Sequence, residues 1–380
     1  MQNRIKYLDG QRGLAILLVL FFHAYARWPA IVPYKATYAD FPLFAYGWLG
    51  VELFFLISGF VILMTLEKCA SIRDFLYRRW LRLFPAMLIC SLVIFATARF
   101  FPERPIGAPT WISLIPGLTF TEPTWWSTVI RHPVSPLEGA FWSLFVEVKF
   151  YVFAALVYFW RGRHALIAGL IIGYLVAVLS HIGDTMFGTL PLKLANRICA
   201  ELSFEYFGWF AAGASFYLHS KTAANKWLFV GLACGVLSAV TVNDPSKMAT
   251  IAAGLITFVF AATIVSRTVQ RFFNTGVLQL FGIISYPLYL IHENLMISSI
   301  VKLDKITGDL PGILLPLPVI FLLSLVAFCI ARYGEPLVKH WLPRPRKSHL
   351  PVLLGSDSSS NVTTCVGGTS ESVPIPLDRS

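Results

Sequence analysis

The sequence predicts an all-α, polytopic integral membrane protein: a bundle of about ten transmembrane helices plus one short re-entrant or interfacial helix. Hydrophobic residues make up 56% of the chain and charged residues only 13%, whereas a soluble globular domain carries about 25% charged residues. The mean hydropathy is +0.67. Long uncharged runs such as 53–64, 165–180 and 249–265 approach the length of about 20 residues that a helix needs to cross the hydrocarbon core.

Ten apolar segments account for the predicted helices. They are placed at 13–32, 44–66, 83–101, 140–160, 164–183, 201–219, 227–243, 248–266, 277–300 and 313–333. A further apolar piece, Trp111–Thr121, is too short to span the bilayer comfortably and is expected to be re-entrant or interfacial. The last part of the chain is rich in Pro, Ser, Thr and Gly, so we expect a membrane domain at 1–342 and a disordered tail at 343–380.

The distribution of charge gives the expected orientation. A net charge of +11 would suggest nucleic-acid binding in a soluble protein, but here most Lys and Arg residues lie between the spans. Ten spans put both ends of the chain on one side, and that side collects most of the basic residues. The positive-inside rule makes it the cytoplasmic side, and we expect the membrane to be the cell inner (plasma) membrane. The lipid bilayer, not nucleic acid, is therefore the expected partner. The six scattered cysteines show no metal-ligand spacing, so no metal is expected.

An ionisable ring lies inside the first predicted span. His23 is flanked by apolar residues, and Arg12 stands eleven positions before it. Eleven residues at 100° each return to nearly the same helix face, about 16 Å further along the axis. Asp9 is placed to pair with Arg12. A neutral imidazole suits a general base acting on a hydroxyl, and a histidine hydrogen-bonded within the bundle is the structural alternative.

Two acidic side chains lie inside other predicted spans. Glu52 opens the second span, and Glu147 follows Ser143 by four residues, so that Ser143 and Glu147 share a helix face. An ionisable group inside a span costs about 2.5–3.5 kcal/mol on insertion, which makes such groups functional candidates. The structural alternatives are a carboxylate paired with a buried cation for Glu52 and a helix N-cap for Ser143.

A cluster of arginines precedes the third predicted span. It consists of Arg78, Arg79 and Arg82, of which the last two are three residues apart and share a face. Guanidinium groups offer bidentate donors that suit phosphate. Anchoring to lipid head groups is the alternative.

A polar motif, Ser285–Glu293, interrupts the ninth predicted span. Pro287 is expected to kink the helix, and Tyr289 and His292 share a face. Glu335 stands where the last span ends and has basic residues nearby. The roles of His292 and Glu335 stay open at this point.

These motifs, in this order, resemble acyltransferase family 3, the membrane O-acetyltransferases of bacterial lipopolysaccharide, exopolysaccharide and Nod factors. The resemblance covers about residues 5–340 and is carried by Tyr7–Gly13 with His23, Gly50–Phe60, Arg78–Pro85, Trp142–Glu147, Ile284–His292, and Glu335 with Pro336. Several positions depart from the family pattern. This chain has Gln11 where the family commonly has Leu, and Val148 and Lys149 where it often has acidic residues. It has Pro287 where Ser is frequent, and Glu293 where an aromatic residue is frequent.

The resemblance implies an O-acyltransferase that takes an acyl group from acyl-CoA, acetyl-CoA by default, and delivers it to a glycan or glycolipid acceptor. The family's functional positions fall on Arg12 and His23, on Arg79 and Arg82, and on Ser143 and Glu147. We expect the three arginines to hold the coenzyme A phosphates. His23 is expected to act as a general base or to accept the acyl group first. Glu147 or Glu52 would then orient the imidazole or an acceptor hydroxyl. The alternative is a transporter or exporter in which the same His and Glu residues relay protons.

Overall fold

The computed structural model describes residues 5–241, 246–308 and 310–343 of the chain. The predicted tail at 343–380 therefore lies outside the described residues, except for residue 343. Within these residues the secondary structure is helical, without strands. The α-helices are α1 Lys6–Phe22, α2 Pro42–Ala45, α3 Gly50–Leu66, α4 Ile72–Thr97, α5 Leu114–Thr119, α6 Pro123–Ile130, α7 Trp142–Phe187, α8 Leu190–Glu201, α9 Phe207–Thr222, α10 Asn225–Val240, α11 Lys247–Val265, α12 Arg267–Phe273, α13 Gly276–Thr307, α14 Pro316–Cys329 and α15 Glu335–Trp341.

Shorter helical turns join or extend these helices. Five are 3₁₀ turns, at Gly47–Leu49, Ala98–Phe100, Trp111–Ser113, Gly139–Phe141 and Phe204–Tyr206, and two are π-helical, at His23–Arg27 and Ile330–Gly334. The first π-helical segment directly continues α1. Such π segments inside helices frequently coincide with functional sites.

In the part of the chain that the structure describes, six helical segments are long and apolar enough to cross a membrane. They contain α3, α4, α7, α11, α13 and α14, each of which overlaps a predicted span. The segment around α7 covers two predicted spans, and Gly162 breaks its helical geometry between them with a φ of 80°. The remaining predicted spans fall on α1, α9 and α10, which are 16 or 17 residues long. The count of about ten transmembrane helices stays a prediction.

The third predicted span begins too late in the chain. It was placed at 83–101, but α4 runs from Ile72 to Thr97. The Ser71 side chain caps the helix by accepting a hydrogen bond from the backbone N–H of Asp74 at 3.2 Å, and a cap of this kind starts a helix whatever the hydropathy of its first turns. The arginine cluster therefore lies inside the helix, in its first three turns. The segment Trp111–Thr121 is, as expected, a short helical piece, which packs on α4.

Helices α1 and α13 approach each other so closely that two glycines are required between them. A Cβ on Gly13 would lie 2.0 Å from the carbonyl oxygen of Leu278, and one on Gly282 would lie 1.8 Å from the carbonyl oxygen of Asp9. Small residues allow this backbone contact between membrane helices. The contact aligns the two helices along their length, so that the end of α1 with His23 meets the part of α13 that carries His292.

Candidate active site

The His23 ring is held at the point where α1 changes into the π-helical segment. Its Nδ1 lies 2.9 Å from the carbonyl oxygen of Val19, one turn earlier, and 3.4 Å from Nε2 of His292. The two rings meet edge to face, with their centroids 4.6 Å apart. The side chain of His23 is only 12% exposed. The ring is therefore fixed by the fold and does not face hydrocarbon.

A carboxylate from α13 lies on the other side of the same ring. Oε1 of Glu293 is 3.7 Å from Nε2 of His23, and Oε2 of Glu293 accepts a hydrogen bond from the backbone N–H of Ala140 at 2.7 Å. The Ala140 backbone comes this close because its neighbour Gly139 has no side chain: a Cβ there would lie 2.7 Å from Oε2. Glu293 thus links the start of the α7 segment to His23.

His23 and Glu293 line a cavity of about 340 Å³. Its wall is rich in aromatic rings and acidic groups, including Trp28, Trp48, Trp142, Tyr206, Trp209, Glu52 and Glu205. Glu52 is 4% exposed, and its Oε2 has no hydrogen-bond partner among the described residues. A buried, unpaired carboxylate oxygen in a cavity is costly unless a ligand or water satisfies it. Sequence reasoning placed Glu52 and His23 in one site, and the structure brings them into one cavity.

A second cavity, of about 520 Å³, lies at the other end of α1. All three predicted phosphate-binding arginines line it, with Arg78, Glu335 and Lys339 beside them. Arg12 is paired with Asp9 at 3.1 Å, as expected. Lys339 pairs with Glu335 at 2.6 Å. The structure therefore gathers the predicted cations around one space.

Arg79 is the most informative residue of this cationic cavity. It is 8% exposed and donates one hydrogen bond, from Nη2 to the Thr65 hydroxyl at 2.7 Å. Its Nε and Nη1 have no hydrogen-bond partner among the described residues. Arg82, one turn further, is exposed. A buried guanidinium with unused donors is suited to bind an anion.

A narrow cavity of about 80 Å³ lies between these two spaces. Arg12 and Arg82 line both this middle cavity and the cationic cavity, while Tyr289 lines both the middle cavity and the His23 cavity. Tyr289 donates a hydrogen bond to the Ala140 carbonyl at 2.8 Å, and its hydroxyl is 2.7 Å from Oγ of Ser143. The three cavities thus follow one another along α1, with Tyr289 and Ser143 before the His23 cavity.

Glu147 lies in the middle cavity and not beside His23. It accepts hydrogen bonds from the hydroxyls of Ser58 and Tyr151, the second at 2.5 Å. The structure therefore does not bring Glu147 or Ser143 to the imidazole, and the carboxylate that does approach it, Glu293, is one that sequence reasoning did not select. The available signal was its position directly after His292, where the family pattern has an aromatic residue.

Behind Glu293, a second acid is buried in the loop that precedes α7. Glu138 is 0% exposed, and its Oε2 accepts a hydrogen bond from the backbone N–H of Asn294 at 3.0 Å. Arg104 lies nearby and donates to the Leu137 carbonyl at 3.1 Å. Burial, with the neighbouring Glu293 charge, raises the pKa of Glu138 to about 8. At neutral pH Glu138 therefore keeps its proton.

Known proteins match this chain at the level of the family. A family model for the acyltransferase 3 group, described as an acyltransferase domain, matches residues 5–332. The O-acetyltransferase OatA of Staphylococcus aureus is 29% identical over 163 residues, which are 40% of this chain and 24% of that protein. Acyltransferase MdmB of Streptomyces mycarofaciens is 30% identical over 155 residues, 39% of this chain and 38% of that protein. The matched region spans less than half the length of either relative. No solved structure matches the chain.

Proposed function

The chain belongs to acyltransferase family 3, and we propose that it transfers an acyl group, acetyl by default, from acyl-CoA to a hydroxyl of a glycan or glycolipid. The donor enters from the cytoplasm and the acceptor from the opposite side of the plasma membrane. Both ends of the chain are then cytoplasmic, in agreement with the distribution of Lys and Arg. The observation that carries this proposal is the succession of cavities from the arginine cluster to His23.

The cationic cavity supplies the donor site. Arg79, Arg82 and Arg12 bind the phosphates of coenzyme A, since the unused donors of the buried Arg79 would be satisfied by phosphate oxygens. The acyl end of the donor extends from there into the middle cavity, past Arg12 and toward Tyr289. Arg12 and His23 are about 16 Å apart along α1, so the donor has to be long, as an acyl-pantetheine arm is.

The His23 cavity supplies the acceptor site. Aromatic walls contact the apolar faces of sugar rings, and the acidic side chains of Glu52 and Glu205 accept hydrogen bonds from sugar hydroxyls. The name of one relative, an O-acetyltransferase, agrees with transfer to an oxygen, and the name of the other, an acyltransferase, agrees with acyl transfer.

In the proposed reaction, His23 takes the proton of the acceptor hydroxyl while the hydroxyl oxygen attacks the thioester carbonyl carbon. The tetrahedral intermediate collapses, the carbon–sulfur bond breaks, and the ester is formed. The thiolate of coenzyme A leaves and receives the proton from the imidazolium. His23 returns to its neutral form, and no redox change occurs.

The test is a comparison of His23→Ala with His181→Ala, a histidine exposed on α7 and outside the three cavities. Membrane vesicles containing each variant receive acetyl-CoA labelled on the acetyl group, and the label in the glycan and glycolipid fraction is counted. We expect His23→Ala to lose at least about 100-fold of the transfer rate and His181→Ala to keep it. Transfer by His23→Ala at the wild-type rate would remove the catalytic assignment.

A mass measurement identifies the acceptor and the acyl group together. Surface polysaccharide from a deletion strain is compared with that from strains complemented by the wild type or by His23→Ala. We expect the wild type to restore one defined mass increment and His23→Ala to leave it missing. An unchanged polysaccharide mass in the deletion strain would exclude a surface-glycan acceptor.

A further inference from the structure

We propose that His292 and Glu293 are positioning residues for His23. His292 keeps the hydrogen of the His23 ring on Nδ1, so that Nε2 is the atom that acts as the base, and Glu293 balances the positive charge that the ring gains. The proposal rests on the proposed role of His23 as the base and adds two residues to it. Both come from α13, far from His23 in the sequence, and both contact its ring.

The hydrogen bonds fix the tautomer of each ring. Nδ1 of His23 lies 2.9 Å from the Val19 carbonyl, and Nδ1 of His292 lies 2.7 Å from the Tyr289 carbonyl. A carbonyl oxygen can only accept, so Nδ1 carries the hydrogen in both rings. In each neutral ring the lone pair is therefore on Nε2.

The contact between the rings agrees with this assignment. The unprotonated Nε2 of His292 lies 3.4 Å from Nδ1 of His23, so it accepts a share of the same N–H that points to the Val19 carbonyl. His292 is 0% exposed, and its own Nδ1–H is held by its helix. It therefore acts as a fixed acceptor that keeps the His23 proton on Nδ1.

The remaining nitrogen of His23, Nε2, lies toward Glu293, and both residues line the His23 cavity. The 3.7 Å between Nε2 and Oε1 of Glu293 is longer than a hydrogen bond, so the lone pair stays available to an acceptor hydroxyl. When Nε2 takes the proton, the ring becomes a cation beside a carboxylate, and both side chains are largely buried, so the attraction is stronger than in water. The backbone N–H of Ala140 holds the carboxylate in place.

Of the charged side chains that line the cavity, Glu293 is the one that forms an ion pair with His23 among the described residues. Arg27 and Glu205 line the same cavity, but no ion pair joins either of them to His23 within the described residues. Glu52 lines the same cavity, but no ion pair joins it to His23 within the described residues. Glu138 does not line that cavity. Because burial keeps Glu138 protonated at neutral pH, it adds no charge at the imidazole.

The experiment compares Glu293→Gln with Glu138→Gln. Glutamine keeps an oxygen that can accept from the Ala140 N–H and removes only the charge, while Glu138→Gln replaces an acid that is already neutral. The maximal rate per inserted protein and the KM for acetyl-CoA are measured in vesicles. We expect Glu293→Gln to lower the maximal rate at least about tenfold with an unchanged KM for acetyl-CoA. Glu138→Gln should keep both values within about twofold.

Each outcome decides the proposal. A wild-type maximal rate for Glu293→Gln, or an effect only on the KM for acetyl-CoA, would overturn it, and so would an equal loss of rate in Glu138→Gln. If His23→Ala is inactive while Glu293→Gln is fully active, this inference fails and the proposed function stands. If His23→Ala is active, the proposed function itself fails.

A second pair of variants carries the test if Glu293→Gln does not insert into the membrane. His292→Gln offers an amide oxygen that can accept the Nδ1–H of His23, whereas His292→Leu has a similar volume and no acceptor. We expect His292→Gln to be at least about fivefold faster than His292→Leu. Equal rates in the two variants would show that His292 acts only by filling space.

Discussion

Replacing Gly13 by Ala is expected to separate the two helices that build the catalytic site. The added Cβ would lie 2.0 Å from the carbonyl oxygen of Leu278, whereas ordinary contact needs about 3.5 Å. Both the Cβ and the carbonyl belong to rigid helix backbone, so no rotamer change relieves the clash. Helix α1 must therefore move away from α13 by about 1.5 Å.

Such a shift acts on the His23 ring, because α1 continues directly into the π-helical segment that carries His23, and α13 carries the partners of the ring. The distance of 3.4 Å between His23 and His292 would grow beyond hydrogen-bond range, and Glu293 would move away from Nε2. A misplacement of about 1 Å can cost an enzyme about 100-fold in rate. We expect a loss of this order for Gly13→Ala, although Gly13 lines neither the His23 cavity nor the cationic cavity.

The assay is acetyl transfer from labelled acetyl-CoA in vesicles, normalised to the amount of inserted protein. Gly254→Ala is the control, since a Cβ there meets no atom within 4 Å, and alanine is the better helix former. A wild-type rate in Gly13→Ala would refute the reasoning that close helix contact positions His23. An equal loss of rate in Gly254→Ala would show that any such helix substitution impairs the enzyme.

Three further predictions follow from the site. Arg79→Ala should raise the KM for acetyl-CoA about tenfold, while Arg73→Ala, exposed on the same helix, should leave it unchanged; equal KM values would contradict the donor site. Tyr289→Phe removes the hydroxyl bonded to Ser143 and should lower the free energy of unfolding by about 1 kcal/mol, read from melting in detergent, and an unchanged melting temperature would speak against it. The pKa of Glu138 is raised from 4.5 to about 8, so the folded chain keeps a proton that the unfolded chain releases in this window. Stability should fall as the pH rises from about 5 to 8, and less so in Glu138→Gln; parallel pH profiles of the two melting temperatures would refute it.

Much of the architecture could be predicted from local sequence. Hydropathy located the long apolar helices, because a segment in the bilayer must be apolar along its whole length. The shorter helices α6, α12 and α15 lie outside the predicted spans. The location of Arg12, Arg79 and Arg82 at one end of the bundle also followed from local information, since each stands near the same end of its helix. That the three share one site was implied by the resemblance to the family. The start of α4 was missed because its first turns are polar and hydropathy does not detect a capped polar extension.

The composition of the catalytic site depended on tertiary structure. Glu293 and His292 are about 270 residues from His23, and no periodic pattern links such distant positions. Their contact depends on the close approach of α1 and α13, which glycines permit but do not specify. The same limit explains why Glu147, a candidate to orient the imidazole, does not lie beside His23. The helix face that carries Glu147 was predicted, but the helix that this face packs against was not.

By itself, the sequence determined that this is a helical membrane protein with a buried imidazole on its first helix and guanidinium groups at one end of the bundle. Only the tertiary structure decided that three cavities with shared lining residues lie between these groups and that Glu293, not Glu147, stands beside the ring. The physical reason is that hydropathy and helical periodicity act over a few turns. The side chains that meet across a bundle depend on how whole helices pack.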